Sequence, residues 1–491
     1  MRHSRSTRVA AVTALSGGLA AAMLAPASAA PNTPGVSGPS TKTAPYVIPV
    51  ASGVSIQSLL TVGDTVAGYK MVGIPDGLGL AAGNGTNTTL VMNHELNAGT
   101  GALRAHGRQG SFVSKWTVNP KSGAVTGGED LIKTVQYWNY GAGDYSGAAS
   151  DFARFCSGTL SDPGIFSGSA GAGYDGQIYF ANEEAGDNAR TFGVSLDGTA
   201  VQLPRLGLAS IENTVPALTR NDATVVVSNE DSGAGQIRVY AGTKQSSGTV
   251  FDKAGLTNGS LHVLSVAGAT TDAAFRTTYG TATPAPVTFE EIAWNASGAA
   301  QNAEAAAKGI SLNRIEDGHF DPNEPNDYYF ITTDGGEGTG NEGGGGGLWR
   351  LSFTDVSNPS AGGTLTLLLN GTESINLQKP DNMAIDNSGN ILIQEDPGNA
   401  AVVAKVAAYR ISDGKTGVVA QFDPEQFTEG APKFITKDEE SSGIIDVSSL
   451  WKKPNTFVFD AQVHEDSGDP ETVEMGQLLV MTVSDWSKVY S

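Results

Sequence analysis

Phe155-Cys156-Ser157-Gly158-Thr159-Leu160, followed by Tyr179-Phe180-Ala181-Asn182-Glu183-Glu184, sets the chain's one cysteine ahead of an apolar β run that ends in two carboxylates. A single cysteine forms no intramolecular disulfide, and a thiol near carboxylates points toward a metal. The second half of the pattern recurs: a short apolar β run, an acidic or His-bearing tip, then a Gly-rich turn. It reads Leu90-Val91-Met92-Asn93-His94-Glu95, then Val225 to Asp231, Tyr329 to Asp334, Ile391 to Asp396 and Phe457 to Glu465, which with the Glu184 unit makes six.

Further strands follow several of these runs, at Gly110 to Val118, Gly235 to Tyr240, Gly347 to Phe353 and Val403 to Ile411. Alternating side chains closed by Gly, Asn or Asp turns predict antiparallel meanders. Helical patterning is confined to short pieces at Asn302 to Lys308 and Pro424 to Phe427. The uneven spacing excludes a solenoid, and sheets of this kind repeated about six times close radially, so the expected fold is all-β, a six-bladed β-propeller. In such a ring equivalent strand ends converge on one channel mouth. Glu95, Glu184, Asp231, Asp334, Asp396 and Glu465 would meet there, and carboxylates that close cannot all stay ionised without a cation.

Acidic residues outnumber basic ones 51 to 30, a formal charge of −21. That balance repels phosphate backbones and anionic lipid, so neither nucleic acid nor a membrane surface is an expected partner. The basic start (Arg2, His3, Arg5, Arg8), the apolar stretch Val9 to Leu24 and Ala27-Ser28-Ala29 read as a secretory signal peptide over 1–30, removed from an extracellular protein. Residues 31–45 read as a flexible leader and 46–491 as a single propeller domain, expected to be a monomer. No later apolar run reaches eighteen residues, the length of a membrane span. In a secreted chain the lone Cys156 is a free thiol, an intermolecular link, a ligand, or a small buried apolar side chain.

The ordered set Asn93-His94-Glu95, Cys156-Ser157-Gly158-Thr159, Glu183-Glu184, Leu206-Gly207 leading to Glu212, Arg314-Ile315-Glu316, and Pro380-Asp381-Asn382 with Asp386 to Asp396 resembles the PhoX-type alkaline phosphatase family. The likeness runs from about Asn93 to His464. It implies Ca2+ and Fe3+ in the channel mouth and hydrolysis of small-molecule phosphate monoesters outside the cytoplasm. It further implies Cys156 and Glu212 as iron ligands, Glu95, Glu316, Asp396 and Glu440 as carboxylates on calcium, and Arg314 as the clamp on substrate phosphate. Glu184 joins the expected metal set from its strand tip.

The chain departs from the family at Ile211 (His there), Leu208-Ala209 (Arg-Phe) and Ile315 (Pro), and in its looser Gln462-Val463-His464. Hard cations take six to eight oxygens, which converging carboxylates supply, and an arginine fork matches phosphate. Arg314 also reads as an ordinary ion pair with Glu316 or Asp317, and His94 and His464 read either as orienters of the metal ligands or, the favoured reading, as packed core histidines. A phosphodiesterase or phytase-like hydrolase, and a calcium-stabilised binding propeller without activity, are the rival functions.

Overall fold

The computed structural model describes residues 35–333 and 346–491; the expected signal peptide, the start of the leader and Asp334 lie outside them. Strands dominate the regular structure of the described chain, in antiparallel meanders that start from an inner strand and run outward. The inner strands are Pro75–Ala82, Phe155–Leu160, Ile211–Pro216, Ile315–Phe320, Pro380–Ile385 and Glu439–Asp446. Each touches the next, and the last touches the first, so they close a ring around a central channel. This is a β-propeller, as the repeats predict.

Four of the meanders are separate sheets. The meanders that begin at Ile211 and Ile315 are joined into one nine-stranded sheet where Ala285–Ile292 pairs with Gly363–Leu369. The ring is sealed by the N-terminal segment: Val54–Thr61 pairs antiparallel with Glu474–Val483, and Val47–Pro49 adds to Thr416–Phe422. Residues 35–45, expected as part of a flexible leader, are instead docked. Val36–Ser37 pairs in parallel with Gln57–Ser58, and buried Thr41 shares a 2.9 Å hydrogen bond with Thr61. Gly38 allows this approach, since a Cβ there would lie 2.4 Å from the Ser58 carbonyl oxygen.

The second strands read as unbroken apolar runs because both of their faces are covered. Val225 and Val227 enter one core layer while Val226 enters the next; Tyr328 and Phe330 separate from Tyr329 and Ile331 in the same way. Alternation along a strand thus fills two inter-sheet layers at once, each large side chain contributing roughly 1.5–3 kcal/mol of burial. Helices are short; the longest described, Gly298–Lys308, packs outside the ring. Among the described residues no helix is long and apolar enough to cross a membrane.

Candidate metal centre

A backbone repeat positions the site. The first residue of each inner strand pairs with the residue just short of a second-strand tip: Pro75 with His94, Phe155 with Glu183, Ile211 with Glu230, Ile315 with Thr332, Pro380 with Glu395, Glu439 with Val463. In five units the register breaks directly afterwards, in the sixth between Ser442 and Ile444. A bulge of this kind re-aims the side chain next to it. The following inner-strand residues are Asp76, Cys156, Glu212, Glu316, Asp381 and Glu440, all buried. At the tip itself a main-chain N–H donates to the carbonyl of the residue before the inner strand: Glu95 to Ile74, Glu184 to Arg154, Asp231 to Ser210, Thr333 to Arg314, Asp396 to Lys379, His464 to Asp438. Three layers of equivalent positions therefore stack around the mouth.

These layers enclose one cavity of about 170 Å³, lined by Glu95, Arg154, Cys156, Glu184, Glu212, Asp231, Arg314, Glu316, Asp381, Asp396, Glu440 and His464. All eight residues expected as metal ligands or phosphate clamp lie in it. Five of them, with Asp76 and Asp381, place ligand atoms in three overlapping groups, each within 4.8 Å: Asp76, Glu95 and Cys156; Cys156, Glu184 and Glu212; Glu212, Glu316 and Asp381, while Asp396 and Glu440 line the cavity outside these groups. Sharing Cys156 and Glu212 links the groups into a continuous run of donors.

Strand parity explains which acid of each pair does this. Glu183, Glu230 and Glu395 point away from the mouth and meet cations of the third strand, Arg190 at 2.6 Å, Arg238 at 3.1 Å and Lys405 at 2.6 Å. Their neighbours Glu184, Asp231 and Asp396 face the cavity.

Burial, then crowding by like charges, pushes the carboxyls of Asp76, Glu316 and Asp381 well above the ordinary carboxylate range, and burial lifts the Cys156 thiol in the same way. Glu212 rises too, although the Ser157 N–H donates to it at 3.1 Å. Burial raises Glu184 and Asp396 to about 7. The compensating cations are few. Arg154 Nη2 reaches Glu95 at 2.7 Å and Glu184 at 2.5 Å. Arg314 grips Asp231 through Nε (3.0 Å) and Nη2 (2.8 Å) and lies 3.2 Å from Glu316. His464 works against its own burial: the Glu440 carboxylate at 3.7 Å and a 2.7 Å hydrogen bond to Glu474 push it up to about 11.

The donor set fits hard cations together with one thiolate-tolerant metal. Buried acceptors on the inner and second strands find no donor among the described residues: Asp381 Oδ1, which lines the cavity, Asn382 Oδ1, Gln462 Oε1 and both oxygens of Asp460. Unpartnered acceptors at this density are costly unless a cation meets them.

No family model and no curated protein sequence matches the chain. Among solved structures it superposes on Pseudomonas fluorescens PhoX in complex with vanadate, a transition-state analogue, with TM-score 0.63 and 11% identity over 94% of this chain and 99% of that one. The fold is PhoX-like. A Dyadobacter fermentans protein of unknown function (TM-score 0.41, 8% identity, 87% and 99% covered) and the PQQ domain of Coprinopsis cinerea pyranose dehydrogenase (0.35, 11%, 91% and 100%) align more loosely.

Within this PhoX-like ring, two of the departures fall on first residues of inner strands. Ile211 and Ile315 are buried in packing positions and do not line the cavity. Glu465, expected at the mouth, is exposed outside it: the sixth tip falls one residue earlier, where the main-chain repeat places His464. The core reading of His464 is thereby corrected, whereas His94 is a packed histidine, bonded to Gly73 and Ser114 and stacked on Phe112. Asp334 lies outside the described residues, and Thr333 holds the equivalent tip, with its hydroxyl on Glu316. Sequence reasoning missed Asp76, Asp381 and Arg154. The parallel of Pro75-Asp76 ahead of Glu95 with Pro380-Asp381 ahead of Asp396 was the available signal for two of them.

Proposed function

We propose that the protein is an extracellular metal-dependent phosphatase that hydrolyses phosphate monoesters at Ca2+ and Fe3+ held in the channel mouth. One observation carries the reading: oxygen donors from all around the ring and a single thiol converge on a buried cavity that also contains guanidiniums. Cys156 and Glu212 would hold iron; Glu95, Glu184, Glu316, Asp396 and Glu440 would hold calcium, with Asp76 and Asp381 completing the donor groups. Bound there, such ions polarise phosphoryl oxygens and offset charge that builds in the transition state. The similar Pseudomonas fluorescens PhoX holds vanadate, a transition-state analogue, and this supports the reading.

The chain's own groups supply position and electrostatics. Arg314 keeps Nη1 clear of its carboxylate contacts and offers it to a phosphoryl oxygen. His464, held protonated between Glu440 and Glu474, adds positive charge to the wall.

Turnover of p-nitrophenyl phosphate, measured with metal content before and after chelation, tests the reading. Activity that is lost with the metals and restored by their return supports it. Calcium without turnover replaces it with the calcium-stabilised binding propeller.

A further inference from the structure

Arg154 and Arg314 occupy the same place in two units. Each directly precedes an inner strand, each holds a left-handed φ of 48° or 53°, and each gives its carbonyl to a second-strand tip, at Glu184 or Thr333. Neither is Gly or Asn, so the surrounding contacts must hold this conformation. Its consequence is direction: both guanidiniums stand in the wall of the same cavity. Only the strand Ile211–Pro216 separates the strands they precede, and it touches both. The two arginines therefore flank the Glu212 position.

Their bonding is also parallel. Arg154 commits Nη2 to Glu95 and Glu184 and Nε to the Glu184 carbonyl at 3.2 Å; Arg314 commits Nε and Nη2 to Asp231 and Nη2 to Glu316. In neither does Nη1 have a protein partner among the described residues. Both side chains are part-exposed, 41% and 36%. A guanidinium carries five N–H donors, and an uncommitted edge at a part-exposed mouth is suited to an anion.

We propose that Arg154 is a second anion-binding residue, and that the preferred substrate carries a second acidic group, a carboxylate or another phosphate, beside the phosphoryl group held at Arg314. The proposal rests on the phosphatase reading. Arg154 is part-exposed, so the second acidic group meets it at the rim, from solvent.

The test uses metal-loaded wild-type protein, Arg154→Met, Arg154→Lys and Arg314→Met with three substrates: ethyl phosphate, 2-phosphoglycolate and ethane-1,2-diyl bisphosphate. These differ only in what replaces the terminal methyl, and the last two separate carboxylate from phosphate as the second group. Wild type is expected to favour a doubly anionic substrate at least tenfold in kcat/KM. Arg154→Met should lower kcat/KM for that substrate at least tenfold more than for ethyl phosphate, with metal content unchanged; Arg154→Lys should retain part of the preference. Arg314→Met should depress all three alike. Equal losses in Arg154→Met, or metal content falling together with the preference, overturns the proposal and leaves Arg154 as the counter-charge of Glu95 and Glu184. If wild type turns over neither these three nor p-nitrophenyl phosphate, the phosphatase reading fails. The dissociation constants of 2-phosphoglycolate and ethyl phosphate on calcium-loaded wild type and Arg154→Met then still decide whether Arg154 selects the second acid.

Discussion

Stripping divalent cations should make the protein less stable as pH rises through neutrality. Glu184 and Asp396 are raised from ordinary carboxylate values to about 7 by burial. A raised acid binds its proton more tightly in the folded chain than in the unfolded one. Between pH 5 and 7 the unfolded state therefore carries fewer protons, and stability falls with pH by about 1.4 kcal/mol per unit for each group. The two groups over two units give about 4 kcal/mol, allowing for Asp396 and Glu184 beginning to ionise near pH 7. For the described residues 35–333 and 346–491, the entropy of unfolding is on the order of 1 kcal/mol/K, so Tm should drop by about 4 °C between pH 5 and 7. Calcium bound at the mouth would replace those protons, so the calcium-loaded protein should melt higher and lose the slope. Thermal melts at pH 5, 6 and 7, in chelator and in calcium, provide the assay. A chelated Tm that is flat or rising over this range refutes the electrostatic account of the mouth.

Adjacent acids should part company on mutation. Glu395→Ala leaves the Lys405 ammonium without its 2.6 Å partner and should cost about 3 kcal/mol in denaturant unfolding while calcium stoichiometry holds. Asp396→Asn should do the reverse, weakening calcium binding while stabilising the chelated protein at pH 8. Cys156→Ser should leave the far-ultraviolet circular dichroism unchanged and reduce bound iron by metal analysis; an unchanged iron content would return the thiol to mere packing. Gly77→Ala would bring a Cβ to 2.2 Å from the Gly158 amide nitrogen, prying apart the strands that begin at Pro75 and Phe155. It should lower stability by about 3 kcal/mol or more by chemical denaturation.

The ring was readable because its second strands are apolar on both faces and end at a fixed place relative to the channel. Val225-Val226-Val227 and Ile391-Leu392-Ile393 announce that both faces are covered without any knowledge of neighbours. The site was readable only as far as tips could be counted along the chain. Counting failed by one residue at Glu465, because the tip is set by which N–H reaches the preceding carbonyl, and composition does not encode that. Asp76 and Asp381 open strands rather than close them, so no apolar run points to them. Arg154 was hidden for a different reason: a left-handed φ at a non-glycine residue leaves no mark in the sequence, and without it the side chain has no evident direction. The docked 35–45 segment looked like a linker because its Pro, Ser and Gly content is that of one, while its partners lie in the strand Val54–Thr61.

The pairing of Val54–Thr61 with Glu474–Val483 has a temporal meaning as well. A ribosome makes the first of these strands long before the second, so the circle stays open until both have emerged. Carboxylates as far apart in the chain as Asp76 and Glu440 cannot assemble before then. An ion taken up at the mouth would therefore report that the ring has closed.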